Sequence, residues 1–206
     1  MIKTLRLSAA ALCISVLAGC AAPAATNKAA TERTAGLWEQ QMAEVKAFDS
    51  WTLTGKVGLR TPEETNSANL DWLQTPYYYR LLVTGPLGAG RSTLEGREGR
   101  FSLTNSEGRF EAETPEALME QRLGWSLPVS QLTTWVRGLP VEGQPHTSTE
   151  DNLGFPATLS QDGWKIDYRG WMNVDGVWLP NRMVMTYGDI RATLVVNQWQ
   201  AGEGSE

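Results

Sequence analysis

Trp51-Thr52-Leu53-Thr54-Gly55-Lys56-Val57-Gly58-Leu59-Arg60 is the stretch on which the fold turns. Trp51, Leu53, Val57 and Leu59 alternate with Thr52, Thr54, Lys56 and Arg60. That period of two puts apolar side chains on one face of a strand and polar ones on the other. The pattern returns in Ala68, Leu70 and Trp72 against Asn69 and Asp71, and again in Tyr77, Tyr79, Leu81 and Val83. Runs at 92–96, 100–104 and 108–113 follow, separated by glycine turns, as in an antiparallel meander. Further on, Asp162-Gly163 turns into Trp164, Ile166 and Tyr168, and Val174-Asp175-Gly176-Val177 is another tight turn. Met183, Met185 and Tyr187 lead through Gly188-Asp189 to Ile190, Ala192, Leu194 and Val196.

Three helices are predicted. Residues 32–48 place Leu37, Trp38, Met42, Val45 and Phe48 near helical spacing. Thr114-Pro115-Glu116 supplies an N-cap, a proline at the first helical position and an early acid, for a helix running to Gly124. Val129, Leu132, Trp135, Val136 and Leu139 share one side of a third, which Gly138 and Pro140 terminate. The expected fold class is mainly β with some α: one large antiparallel sheet with an apolar face that must curl and be covered. Composition alone favours a wholly packed core beneath that cover over a cavity.

The first residues are of another kind. Lys3 and Arg6 precede the apolar run 7–17, a basic start and a short apolar core that read as a signal peptide. The run is shorter than the roughly 20 residues of a spanning helix. It ends in Leu17-Ala18-Gly19-Cys20, which resembles the bacterial lipobox, where the cysteine is lipidated after cleavage before it. The expected organisation is a signal peptide at 1–19, a lipidated flexible tether at 20–34, one domain at 35–200 and a tail at 201–206. Cleavage would leave 206 − 19 = 187 residues, and loss of Lys3 and Arg6 would take the net charge from −5 to −7. So acidic a chain is a poor partner for nucleic acid or an anionic surface. Cys13 leaves with the signal and Cys20 takes the lipid, so the fold has no disulfide and no thiolate site.

Catalytic patterns are absent. Gly85-Pro86-Leu87-Gly88-Ala89-Gly90-Arg91-Ser92 nearly fits a phosphate-binding loop. Arg91, however, replaces the compact lysine, and Thr93-Leu94-Glu95-Gly96 continues as strand, so no helix N-terminus would face a phosphate. His146, the single histidine, sits in the turn-like Gln144-Pro145-His146-Thr147 and reads as a solvated loop residue. No enzyme activity, cofactor or metal is expected.

Four segments together resemble the outer-membrane lipoprotein receptor family, LolB. They are Leu81-Leu82-Val83-Thr84-Gly85-Pro86-Leu87-Gly88 after Leu70-Asp71-Trp72; Leu123-Gly124-Trp125-Ser126-Leu127-Pro128 leading to Trp135-Val136-Arg137-Gly138-Leu139-Pro140; Gln161-Asp162-Gly163-Trp164-Lys165-Ile166-Asp167-Tyr168; and Leu179-Pro180-Asn181-Arg182 with the closing strand through Trp199. The resemblance implies an incomplete antiparallel β-barrel of about eleven strands with a helical lid over an apolar cavity. It implies a lipid-anchored monomer on the periplasmic face of the outer membrane, which receives lipoprotein cargo from the soluble carrier LolA and passes it to outer-membrane lipid. It reverses the preference for a packed core. The wall or base of the acyl-chain cavity is then expected at Leu53, Val57, Leu70, Trp72, Leu81, Trp164, Ile166, Met183, Met185 and Leu194. Pro86, Leu87 and Gly88 become a projecting loop whose leucine touches the bilayer. Ala21, in place of an inner-membrane-retaining aspartate, fits outer-membrane sorting. A scaffold lipoprotein with an ordinary core and an enzyme using the 85–92 loop are the alternative readings.

If Cys20 carries the anchor, Cys20→Ala should move the protein from the membrane to the soluble fraction. Fractionation with membranes after uncleaved signal has been excluded would refute that role.

Overall fold

The computed structural model describes residues 32–88, 90–97, 99–123 and 126–202. The signal peptide, Cys20 and most of the tether lie outside the described residues. Helix α1 (Leu37–Ala47) precedes β1 (Trp51–Arg60), β2 (Thr65–Gln74), β3 (Tyr78–Thr84), β4 (Ser92–Arg97), β5 (Arg100–Asn105) and β6 (Gly108–Ala112). Helices α2 (Pro115–Leu123) and α3 (Val129–Trp135) come next. The chain ends in β7 (His146–Glu150), β8 (Pro156–Gln161), β9 (Trp164–Val174), β10 (Val177–Tyr187) and β11 (Ile190–Ala201).

All eleven strands form one antiparallel sheet in the order β6-β5-β4-β3-β2-β1-β11-β10-β9-β8-β7. The first strand therefore lies in the middle, hydrogen-bonded to β2 on one side and to the last strand on the other. The two edges, β6 and β7, do not pair, so the curled sheet stays open. Consecutive strands pair throughout, except where the chain passes from edge to edge. That passage contains α2 and α3.

Strand register assembles the apolar residues into transverse rows. Trp199, Leu53, Trp72, Leu81, Leu94, Leu103 and Phe110 follow one another across β11, β1, β2, β3, β4, β5 and β6. Trp51 meets Trp72 and Trp199 edge-on at 5.0 and 4.8 Å, which closes this end of the curl. Curvature has a local source at Gly55, where a bulge shifts the register with β11. A Cβ there would stand 2.2 Å from the Val195 carbonyl oxygen, so only glycine permits the approach.

At the end of the sheet that carries the β9–β10 turn, α1 buries Trp38 against Phe155 and Trp171, at 5.6 and 5.1 Å. Buried Gln41 behaves there as a short strand: Nε2 donates to the Trp178 carbonyl at 2.9 Å, and Oε1 accepts from the Trp178 N–H at 2.8 Å. Its backbone partners account for a buried amide in an otherwise apolar helix face.

Two expectations need correction. Tyr77 lies in the β2–β3 turn, 81% exposed, outside the strand it was assigned to. His146 opens β7 and is not in a loop. Every residue of β7 is exposed, so no alternation marks it; it exists by backbone pairing with β8 at the sheet edge.

The turn joining β7 to β8 is built around one carboxylate. Asp151 Oδ1 accepts from the N–H groups of Leu153 and Phe155, at 2.9 and 3.0 Å, and Oδ2 accepts from Arg33 at 2.7 Å. The same guanidinium lies 4.8 Å from the centre of the Phe155 ring. Burial pushes the Asp151 pKa up, but Arg33 and the two N–H donors outweigh it and hold the carboxyl below its usual range. A depressed carboxylate pKa stabilises the fold above the ordinary value of about 3.9, and that contribution is lost as pH falls through the folded value. Asp151→Asn should cost about 2 kcal/mol near neutrality. The gap in melting temperature between wild type and variant should narrow below about pH 4. A gap that stays constant from pH 7 to about pH 3 would contradict this role for the charge.

Candidate functional site: an apolar cavity

The curled sheet is filled on one half and empty on the other. Between β1–β5 and the α2–α3 crossover lies a cavity of about 500 Å³. The strands contribute Val57, Leu59, Ala68, Leu70, Trp72, Leu81, Val83, Leu94 and Leu103, with Met185 and Leu194 from the β10–β11 side. The roof is Met119 of α2 with Leu127, Val129, Leu132 and Val136 of α3 and its flanks. Asn66, Ser67 and Ser92 are the polar side chains among the described lining residues, none of which is ionisable. Asn66 and Ser92 stand at the start of β2 and β4, beside Gly85, Pro86 and Gly90. The polar atoms therefore gather where the β3–β4 loop borders the cavity. Such a space can hold an apolar guest by burial and offers no acid or base.

Six of the ten residues expected at the cavity line it: Val57, Leu70, Trp72, Leu81, Met185 and Leu194. Leu53, Trp164, Ile166 and Met183 are not among its lining residues. Leu53 is fully buried between Trp199 and Trp72 in the row that seals the far end. Ile166 and Met183 face inward but belong to the filled half, where Trp135 of α3 occupies the interior. Its Nε1 donates to Gln161 Oε1 at 2.8 Å, and its carbonyl accepts from the Tyr168 hydroxyl at 2.9 Å. Trp164 stacks on Tyr187 at 5.3 Å. It faces a separate depression of about 440 Å³ with Glu116, Glu120, Ser126, Pro128 and Ile190. The expected list omitted Leu94 and Leu103, whose runs were read as strands; extending the meander's register would have found them beside Leu81.

The 85–92 stretch turns at Pro86–Gly88, with a kink at Leu87, and β4 begins at Ser92, so the element that follows it is a strand. Leu87 projects from this turn with its side chain fully exposed. Its backbone is left-handed, φ 57° and ψ 22°, a conformation that costs a leucine roughly 1 kcal/mol or more.

The roof is fixed at its far end. Arg137, just after α3, donates from Nη1 to the carbonyls of Val45, Lys46 and Phe48, at 3.3, 3.3 and 3.0 Å. Its Nε donates to the Thr133 carbonyl at 3.0 Å. The guanidinium thus donates to carbonyls at the C-terminus of α1, where a cation is favoured, and shares that of Val45 with the Phe48 N–H. Burial lowers its pKa. Gly138 follows at φ 84°, and a Cβ there would be 2.9 Å from the Trp171 ring and 3.0 Å from that of Trp38. At the near end, Thr114 caps α2 by accepting from Ala117 N–H at 3.1 Å. Glu116 joins α2 to α3 by accepting from the Ser130 N–H and hydroxyl, at 2.9 and 3.2 Å. Among the described residues, no group of His, Cys, Asp or Glu could hold a metal ion.

An open antiparallel half-barrel, bridged by helices over an apolar interior space, is the class of protein these features define. Comparison with known proteins narrows it. A family model described as outer membrane lipoprotein LolB matches residues 49–199. The chain is 53% identical over 187 residues to the outer-membrane lipoprotein LolB of Chromohalobacter salexigens, across 91% of this chain and 86% of that one. With the Pseudomonas aeruginosa protein of the same name it shares 42% over 197 residues, across 95% and 96% of the two chains. The chain belongs to the LolB family of outer-membrane lipoproteins, within the Lol lipoprotein-sorting pathway. Among solved structures, a DUF1329-family protein from Desulfovibrio piger aligns with a TM-score of 0.55 at 8% identity, across 81% and 91% of the two chains, a likeness of fold alone.

Arg137→Met should keep the aliphatic bulk and lose the clamp, at about 3 kcal/mol for the charged hydrogen bonds removed. Arg137→Lys should recover little, because one ammonium cannot reproduce the fork. Hydrogen exchange should accelerate in α3 and the end of α1 before the central strands; uniform acceleration would argue against a local clamp.

Proposed function

We propose that this protein receives lipoproteins from the periplasmic carrier LolA, shelters their acyl chains in the cavity and releases them into the outer membrane. Its own lipid, on Cys20, holds it to the periplasmic face. The observation that carries this reading is the apolar cavity bordered by a loop with a fully exposed leucine at its tip. A scaffold with an ordinary packed core would have no use for such a space. Membership of the LolB family supports the same reading.

The energetics require continuous shelter. Burying a methylene is worth about 0.8 kcal/mol, so a 16-carbon chain in water would cost roughly 10 kcal/mol. Transfer must then run from cavity to cavity to bilayer without exposure. With no driving nucleotide in this reading, transfer goes towards the tighter site or the larger lipid sink.

Leu87 gives the release step its direction. Inserting one leucine contributes on the order of 2 kcal/mol, too little to anchor a protein and enough to orient a cavity already held near the surface. Gly85, Pro86 and Gly90 border both the cavity and the loop that carries Leu87, so a bilayer touched by Leu87 lies next to the cavity. Leu87→Glu should leave thermal stability within about 0.5 kcal/mol of wild type, as for an exposed residue. It should also leave acceptance of cargo from LolA intact and slow insertion into outer-membrane vesicles. Insertion at the wild-type rate would remove the delivery role from Leu87.

A further inference from the structure

The cavity's size carries an inference about how much of a cargo it holds. An apolar protein cavity of about 150 Å³ accommodates one benzene, six carbons. On that scale, the 500 Å³ here takes roughly twenty carbons. That is one long acyl chain, and the lipid of a triacylated lipoprotein has three.

The walls do not offer room for a second. The far end is closed by Trp72, Leu81, Leu94 and Leu103 in one row, backed by Leu53 and Trp51. The roof is fastened to α1 by Arg137, and its two helices are held to each other by Glu116 on Ser130. The 440 Å³ depression beyond the 126–129 segment is no overflow space, because the carboxylates of Glu116 and Glu120 line it. A hydrocarbon chain laid there would strip water from two charges without replacing it.

We propose that the cavity in this closed form takes one acyl chain and no more, so that sheltering all three chains of a cargo requires a wider form, and that the closed form binds single-chain amphiphiles, such as lysophospholipids and free fatty acids, as ligands in their own right. This rests on the acyl-sheltering reading above. Asn66 and Ser92 mark the end where the ligand's polar group comes to rest. Both are neutral and can donate to an ester or carboxylate oxygen alike. Selectivity therefore lies in chain length, and the headgroup's charge has little effect.

The test uses the full chain carrying Cys20→Ala, so that no acyl chain of its own competes. Lysophosphatidylcholines of 12 to 24 carbons and the matching fatty acids are titrated below their micelle concentrations, and bound chains are counted by native mass spectrometry. One chain per protein is expected at saturation, with affinity rising about fourfold per methylene and levelling off near twenty carbons. Lysophospholipid and fatty acid of equal length should agree within about threefold, since the polar lining side chains are neutral. Ala68→Phe, which adds bulk to the wall, should shift the plateau to shorter chains; Ala68→Leu serves if the larger residue impairs folding. Two or three chains per protein, or affinity still climbing at 24 carbons, would overturn the one-chain limit and leave the sheltering role standing. No binding of any chain would overturn both.

Discussion

The pairing of the first strand with the last determines most of what this molecule can be. Once β1 is hydrogen-bonded to both β2 and β11, the chain must wind outward to one edge and return from the other. The connection between those edges has to cross the open side of the curl, and the only residues available for it are those between β6 and β7. A crossover over an apolar face must bring apolar side chains of its own, which α3 does with Val129 and Leu132, followed by Val136 at its C-cap. The roof of the cavity is thus a consequence of strand order.

Whether the space beneath a roof is empty depends on how far the roof's side chains reach. On the β8–β11 half, Trp135 reaches the sheet, its indole N–H donating to Gln161 and its backbone carbonyl accepting from the Tyr168 hydroxyl. On the β1–β5 half, the roof side chains are Met119, Leu127, Val129, Leu132 and Val136, and among the described residues no aromatic ring comes down from above. Lining atoms with nothing opposite forgo dispersion contacts that a close-packed core would supply. An apolar guest restores them, so the same deficit that makes the empty cavity costly favours its being filled. The aromatic residues crowd instead at the closed end, where Trp51, Trp72 and Trp199 meet edge to face.

The sequence reveals the sheet better than the cavity, and for a physical reason. Alternation in 51–60 or 164–168 reports which face of a strand is buried, because one exposed and one covered face differ in hydropathy. It cannot report what does the covering. Met183 and Met185 look identical by pattern, both inward on β10, yet only Met185 meets the empty half. The difference lies in the crossover above them, which is set by contacts distant in sequence. β7 escaped notice because a wholly exposed edge strand has no buried face to advertise. The Pro86–Gly88 turn was legible because Gly and Pro state their backbone requirements locally.

The open seam leaves two strands with unpaired backbone groups, the feature that most readily recruits neighbouring chains into growing sheets. Among the described residues β6 and β7 are the shortest strands, five residues each. β6 carries Arg109 and Glu111, β7 carries His146 and Glu150, and apolar residues are nearly absent from both outer surfaces. A short, charged, polar edge is a poor template for another strand. The protein can therefore keep the gap that its crossover spans and still resist aggregation.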